Sequence, residues 1–379
     1  MIVDSKDDFV SASDGELARA YIDNIVARMA AEHVGRINRL YDRSSAIMRE
    51  LKSRGTARIT LEQFARHHDS RVRATVQSDL ECLDRIKGKP APTYAPPRGE
   101  YLWQCNTPPP RAMARAEIEQ RLGRALPEYR DALVSLMRPA IGLWPQRWRE
   151  SMAPTASRLG GTPLAPAGWQ WPTVEGEPLL FVGQINCGEL KGLPAAESLP
   201  PSGLLVFFAD HDAVHGCRME ALADIAVHHW PGFLELVPAV APIEPSQVLP
   251  QCALAFRPII DLPDPFSKAI ERLRLNEEDA MLYAAEWREI RRHGVPDELE
   301  PYISFSKLFG WPALVQWQDL DAVIFSNSDD PSLLIQVDEY CNTEEVQSWA
   351  GGGSLYFLLP ERDVLAGNFA ACSFEIQFT

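Results

Sequence analysis

The sequence has few of the features that mark secreted, membrane-bound or metal-clipped proteins. It holds seven cysteines (Cys82, Cys105, Cys187, Cys217, Cys252, Cys341 and Cys372), an odd number, scattered and without a Cys-x-x-Cys pair. Neither a disulfide framework nor a zinc knuckle is indicated, and reduced, mostly buried thiols are expected. The opening residues carry Asp4, Asp7 and Asp8 and no apolar run, and no uncharged apolar stretch is long enough to span a bilayer. The expectation is a soluble, cytoplasmic chain. There is no Gly-x-Ser-x-Gly nucleophile elbow. The run Gly351-Gly352-Gly353 is not followed by Lys-Ser/Thr and leads into a strand pattern, so it lacks the mechanics of a phosphate loop and reads as a tight strand start.

What is present is length and charge asymmetry. With 379 residues, 46% of them hydrophobic, the chain can build two or three domains with real cores. Residues 1–158 hold 26 Lys+Arg against 20 Asp+Glu, whereas residues 159–379 hold 11 against 32. A field of that sign repels nucleic acid and anionic membrane, keeps a large β-rich domain soluble, and speeds encounter with a basic protein partner.

The amino-terminal part reads as helical. Ser13-x-x-Glu16 is a capping box, and Leu17, Tyr21, Ile25 and Met29 follow at helical spacing, predicting a helix over 14–31. A second amphipathic set, Ile37 through Leu51, completes a hairpin before Gly55; Thr60-x-x-Gln63 and Asp69 start two further helices, the last stopped by Gly88. His67-His-Asp-Ser-Arg-Val-Arg-Ala resembles the turn and second-helix start of a HEAT-like repeat, which implies a docking scaffold without chemistry of its own. Adjacent histidines in a turn diverge, so no metal role is assigned to His67 and His68. Prolines crowd residues 89–112 with Tyr94, Tyr101 and Trp103 among them, predicting an extended linker that packs along a domain surface. Helical pattern returns over 113–137, broken at Pro127 and ended by Pro139.

Strand patterns dominate afterwards. Apolar runs bounded by Pro and Gly fall at 179–185 and 203–208, with further strands at 225–229, 234–240 and 254–260, and an acidic helix over 277–292. The order of events then recurs. Ser157-Arg-Leu with Gly160, Pro163 and Trp171 is echoed by Ser306-Lys-Leu with Gly310, Trp311 and Pro312. Ser157 to Ser306 spans 149 positions, Pro178 to Pro331 spans 153 and Gly203 to Gly353 spans 150. Such spacing predicts two homologous halves packed as one unit, since either alone would leave an apolar sheet face uncovered.

The same residues carry a family resemblance. Ser157-Arg-Leu-Gly-Gly-Thr-Pro with Trp171-Pro172, then Gln184-Ile185, the 203–208 strand, Lys307-Leu-Phe-Gly-Trp-Pro, Leu333-Leu-Ile-Gln-Val-Asp and Trp349 ahead of Gly353-Ser-Leu-Tyr-Phe together resemble the YwqG-like family of bacterial proteins of unknown function, from about residue 138 onward. The resemblance implies an α+β domain rich in antiparallel strands and no established activity. Where that family usually reads Trp-Gly-Asp-x-Gly this chain has Trp349-Ala-Gly-Gly-Gly, and its polar Asp-Ser-Asp becomes Asp338-Glu339-Tyr340. An acidic site in those loops would be weakened here.

The expected fold is therefore α+β: an all-α HEAT-like module over 1–88, a Pro-rich linker over 89–112, and a β-rich domain over 113–379 with mostly antiparallel strands and internal repeats at about 157–260 and 306–379. Candidate chemistry is sparse. His211, Asp212 and His215, with Cys217 beyond, sit in a turn without a fourth convergent ligand. His228 and His229 face opposite ways if they lie in a strand. No catalytic, cofactor-binding or metal-binding residue is assigned, and no cofactor. Tryptophans beside proline (Trp144, Trp171, Trp230, Trp311) read as core plugs and turn anchors. The expected function is non-enzymatic protein binding. Members of families of unknown function joined to helical repeats look like parts of bacterial toxin and immunity neighbourhoods, which implies an immunity protein whose acidic surface neutralises a basic toxin. The alternative is an enzyme or small-ligand binder with a pocket between the halves, near Gln184 and Gln336.

Overall fold

The computed structural model describes residues 13–29, 101–174, 176–214, 224–296, 304–315, 333–342, 346–349 and 352–378, with isolated positions between residues 47 and 76. The chain forms two compact units, Met1–Thr93 with Asp212–Glu220, and Tyr94–His211 with Ala221–Thr379. No helix among the described residues is long and apolar enough to cross a membrane.

In the first unit, helix α1 (Asp14–Met29) starts as its capping box requires. The Glu16 amide donates to Ser13 Oγ at 3.3 Å and the Ser13 amide donates to Glu16 Oε2 at 2.9 Å. Leu17, Tyr21 and Ile22 are buried along one face, and Arg54 pairs with Asp14 at 3.2 Å. The helices expected beyond residue 31 and the HEAT-like stretch with His67 and His68 lie outside the described residues.

The second unit is a mixed helix-and-strand domain around one large antiparallel sheet. Three helices precede the sheet: α2 (Tyr101–Asn106), α3 (Arg115–Ala125) and α4 (Arg130–Ser135). The break between α3 and α4 falls at Pro127, as expected. Helix α2 corrects the extended reading of the Pro-rich segment, because the ten residues between Pro97 and Pro108 contain no proline and six of them form the helix. Its Trp103 packs edge-on against Trp144 at 5.9 Å.

The strands are β1 (Arg138–Gln146), β2 (Arg158–Leu159), β3 (Leu164–Pro166), β4 (Thr173–Val174), β5 (Glu177–Pro178), β6 (Leu180–Asn186), β7 (Leu204–Ala209), β8 (Ile225–Trp230), β9 (Leu236–Pro238) and β10 (Cys252–Asp261). After helix α5 (Glu277–Arg291) come β11 (Lys307–Leu308), β12 (Leu333–Asp338), β13 (Tyr340–Cys341), β14 (Val346–Gln347), β15 (Gly353–Leu358), helix α6 (Glu361–Leu365) and β16 (Ser373–Phe378). Ten of them form a single sheet in the order β16-β15-β12-β11-β1-β10-β2-β6-β7-β8.

That order reads alike from its centre outwards. β1 and β10 pair along their whole length, β10 carries β2-β6-β7-β8, and β1 carries β11-β12-β15-β16. Local details match across the centre. Arg158 lies opposite Gln184 in one wing, and Lys307 lies opposite Gln336 in the other. The register slips just before each glutamine, at 181/183 and at 333/335. Leu254 donates to the Ser157 carbonyl and Leu143 donates to the Ser306 carbonyl. Ser157 Oγ accepts the Asn186 amide at 2.8 Å, and Ser306 Oγ accepts the Asp338 amide at 2.9 Å. The turns also correspond: Gly160 and Gly161 have φ of 60° and 75°, and Phe309 and Gly310 have 60° and 79°. At Gly160 a Cβ would lie 2.2 Å from the Pro250 carbonyl oxygen, so a side chain is excluded there.

β1 has two neighbouring strands and yet contains Pro139 and Pro145. The Leu143 amide points at Ser306, on the β11 side. Residues 139 and 145 share its parity, so their missing donors face beyond the ends of β11, whose ladder spans only Ile141 and Gly142. The prolines therefore remove no ladder bond.

The two wings curl towards each other until Phe207 on β7 touches Phe357 on β15 at 5.3 Å, with Phe374 5.0 Å from Phe357. These rings, with Leu205 and Leu355, are buried; each such side chain contributes roughly 1.5–3 kcal/mol. The opposite face of the first wing is covered by Leu164, Trp169 and Trp171, and that of the second by Leu314 against Leu333 and Tyr356. A third cluster joins α3 and α4 to α5 through Ile118, Leu122, Leu133 and Tyr283.

Candidate functional site

The concave feature of the second unit lies over the sheet centre. Register puts Lys307 of β11, Gly142 of β1 and Arg257 of β10 in one row on one face. Helix α5 lies over this row, started by Asn276 Oδ1 accepting the Asp279 amide at 2.9 Å, and it brings Trp287, Ile290 and Arg291 to the cleft. Ser304, Phe305 and Ser306 close the side, and the free space holds about 40 Å³, room for a water or two or one small group.

The charges in and behind this cleft are arranged in pairs, with one exception. Lys307 Nζ donates to Asp261 Oδ2 at 2.7 Å, and the same oxygen accepts the Trp311 amide at 2.7 Å. Arg291 donates to Asp338 Oδ2 at 3.4 Å and lies 4.4 Å over the Phe305 ring. Asp338 Oδ1 accepts from Gln336 Nε2 and from Ser354 Oγ, both at 2.7 Å. Arg257 is the exception. Its Nη1 donates to the Pro110 carbonyl at 3.0 Å and its guanidinium lies 5.4 Å from the Trp144 ring, with no carboxylate against it among the described residues. Burial pulls the Arg257 pKa down to about 10. Nearby, burial raises the Asp264 carboxyl above its usual range, against hydrogen bonds from the Phe266 and Leu314 amides.

Most residues singled out in the sequence have structural partners instead. Gln184 is fully buried; Nε2 donates to the carbonyls of Pro154 and Ala156 at 3.0 Å and Oε1 accepts the Leu164 amide. Gln336 Oε1 accepts the Ala313 amide at 2.9 Å. The tryptophan indoles act as anchors: Trp144 donates to Gln104, Trp171 to Leu179, Trp230 to Leu164 and Trp311 to Leu136, all carbonyls. His228 and His229 take opposite faces of β8. His228 stacks on Trp230 with centroids 5.1 Å apart and its Nε2 is buried without a partner, while His229 meets the Ser202 carbonyl at 3.1 Å and the Phe369 ring. His211 contacts Gln247 at 3.3 Å; His215 and Cys217 lie outside the described residues. Among the described residues no group of His, Cys, Asp and Glu could hold a metal ion. The described cysteines are thiols, and burial pushes Cys187 up to about 11.

A second feature is an exposed apolar segment. Between β8 and β10 the chain runs as a proline-rich strap on which Phe233, Leu234, Val237 and Val240 are 41%, 92%, 45% and 86% exposed. β9 ties it to β3 through Leu164, Ala165 and Pro166. Its acids are Glu235 and Glu244.

The wings with their matched Ser-basic-Leu starts coincide with the one family match. A family model described as Domain of unknown function (DUF1963) covers residues 157–377. The chain belongs to this family. The DUF1963 match opens one residue before β2 and so includes both wings and β10 but not β1, the strand that completes the sheet centre. No curated protein matches the chain.

Arg257 carried no local signal in the sequence, since nothing in 252–261 marks it as different from any strand arginine. Its position opposite a glycine depends on pairing between strands more than a hundred positions apart.

Proposed function

We propose that this DUF1963 chain is a protein-binding module whose acidic β domain docks a basic protein, and that it acts as an immunity protein against a basic bacterial toxin. The observation that carries the reading is the strap. Leu234 and Val240 are large apolar side chains held almost entirely in water, with Phe233 and Val237 partly exposed on the same segment, and exposed apolar side chains gathered on one part of a domain mark an interaction site. The excess of acids over residues 159–379 supplies the complementary field. The matched strand order and hydrogen bonds support reading 157–260 and 306–379 as copies of one unit, and the same residues support the closer likeness to YwqG-like proteins.

The test is affinity capture of full-length wild type and of a Leu234→Asp/Val240→Asp variant, from cells of the source species at low and raised salt. A basic protein is expected at stoichiometric level on wild type, reduced by salt and lost on the variant. A captured toxin should also regain its activity when the variant replaces wild type. Capture of no basic protein, or equal capture by both forms, would overturn the reading.

A further inference from the structure

We propose that the cleft over Gly142 is an oxyanion site, in which Arg257 holds one phosphate or carboxylate group. The proposal goes beyond protein binding and does not depend on it.

Charge balance is the first argument. The cleft is lined by three cations, Arg257, Arg291 and Lys307, and by one carboxylate, Asp261. This excess of positive charge sits in the part of the chain where acids outnumber bases by 32 to 11. Asp261 is engaged by Lys307 and the Trp311 amide, and Arg291 by Asp338 and an aromatic ring. Arg257 remains. A guanidinium offers five N–H donors in a fork that matches a carboxylate or phosphate, and here one carbonyl takes one nitrogen.

Shape is the second. A Cβ on residue 142 would sit 3.1 Å from Arg257 Cγ and 3.3 Å from Nε. Glycine is thus what lets the arginine lie across β1 and keeps open the space above it. The cleft has room for a small group at its floor, so the ligand is a small inorganic anion or the charged end of a larger molecule.

The third argument is a departure from symmetry. Around the sheet centre, Gly142 beside Lys307 corresponds to Ala253 beside Arg158. Opposite Ala253 stands Gln146, where Arg257 stands opposite Gly142. The Gln146 amide is committed to the carbonyls of Gln104, Thr107 and Pro145, and Arg158 donates to the carbonyls of Pro154 and Thr162. Both wings thus hold a buried basic side chain at the first position, Arg158 with carbonyl partners only and Lys307 with Asp261. They differ at the second, where one places a neutral glutamine held by three carbonyls and the other a guanidinium with a single carbonyl and no carboxylate among the described residues. Local rule-breaking inside a repeated pattern is where function is expected.

The experiment titrates the full-length protein with inorganic phosphate and, separately, with acetate, by isothermal titration calorimetry at constant ionic strength in chloride. Wild type should bind at least one of the two saturably at one site per chain, the preferred anion showing whether the site takes a tetrahedral or a planar group. Arg257→Gln, which copies the other wing, should bind at least tenfold more weakly with an unchanged circular dichroism spectrum. Arg257→Lys keeps the charge without the fork and should weaken binding several-fold. No saturable binding of either anion to wild type overturns the proposal whatever the variants do. Equal binding by wild type and a folded Arg257→Gln protein overturns it as well.

Discussion

Lys307 and Asp261 form the most buried ion pair described, with side chains 6% and 12% exposed. Removing one partner from such a pair leaves the other charge uncompensated, which typically costs about 3–5 kcal/mol. Lys307→Met is therefore expected to lower the unfolding free energy of the β domain by that much, read from urea denaturation as a lower midpoint. Lys307→Met with Asp261→Asn should recover part of the loss, because the neutral amide can still accept the Trp311 amide; a double variant as unstable as the single one would show that the charge is not the cause. At this scale the sequence was partly legible. Ser-basic-Leu drew attention to Arg158 and Lys307 as landmarks, and both proved buried. Their unlike partners, backbone carbonyls for Arg158 and Asp261 for Lys307, were hidden, since those partners arrive from turns and from a distant strand.

Strand β8 shows the element scale. It is an edge strand whose alternation sends His228 onto Trp230 and His229 towards Phe369. Burial depresses the His228 pKa below the ordinary histidine value near 6.5. The unfolded chain then takes the proton first, so this group's contribution is fully present above about pH 6.5 and is lost as pH falls towards the folded pKa. The urea midpoint of wild type should fall relative to His228→Phe as pH is lowered from 7.5 to 5, and a constant difference would refute the assignment. Asp264 and Glu339, raised by burial, act with the opposite sign at lower pH but are common to both proteins and cancel in the comparison. Short apolar runs bounded by Pro and Gly made β6, β7, β8, β12 and β15 readable within a residue or two. That signal failed for β1, where Pro139 and Pro145 argue against a central strand until the short β11 ladder is seen beside it. It failed also for α2, where proline density around a proline-free hexapeptide masked a helix.

For the molecule as a whole, the interleaving of β1 and β10 has a direct consequence. β1 lies between β10 and β11, and β2 pairs with β10, so each wing is completed by a strand that precedes or follows it on the far side of the centre. A fragment of residues 101–248 leaves β1 with no strand neighbour. It should be unfolded or aggregated by circular dichroism and gel filtration, as should 249–379, while co-expression of the two restores a soluble β-rich complex. A folded monomeric 101–248 fragment would contradict the described pairing. The sequence by itself determined the strand-rich, twice-patterned character of residues 157–377, because short apolar runs, Gly-Pro turns and recurrent Ser, Gln and Trp landmarks are local signals. Only the tertiary structure decided that Arg257 crosses Gly142 without a carboxylate while its counterpart is a satisfied glutamine. Register between distant strands is set by the packing of the entire sheet, and no local window of sequence contains it.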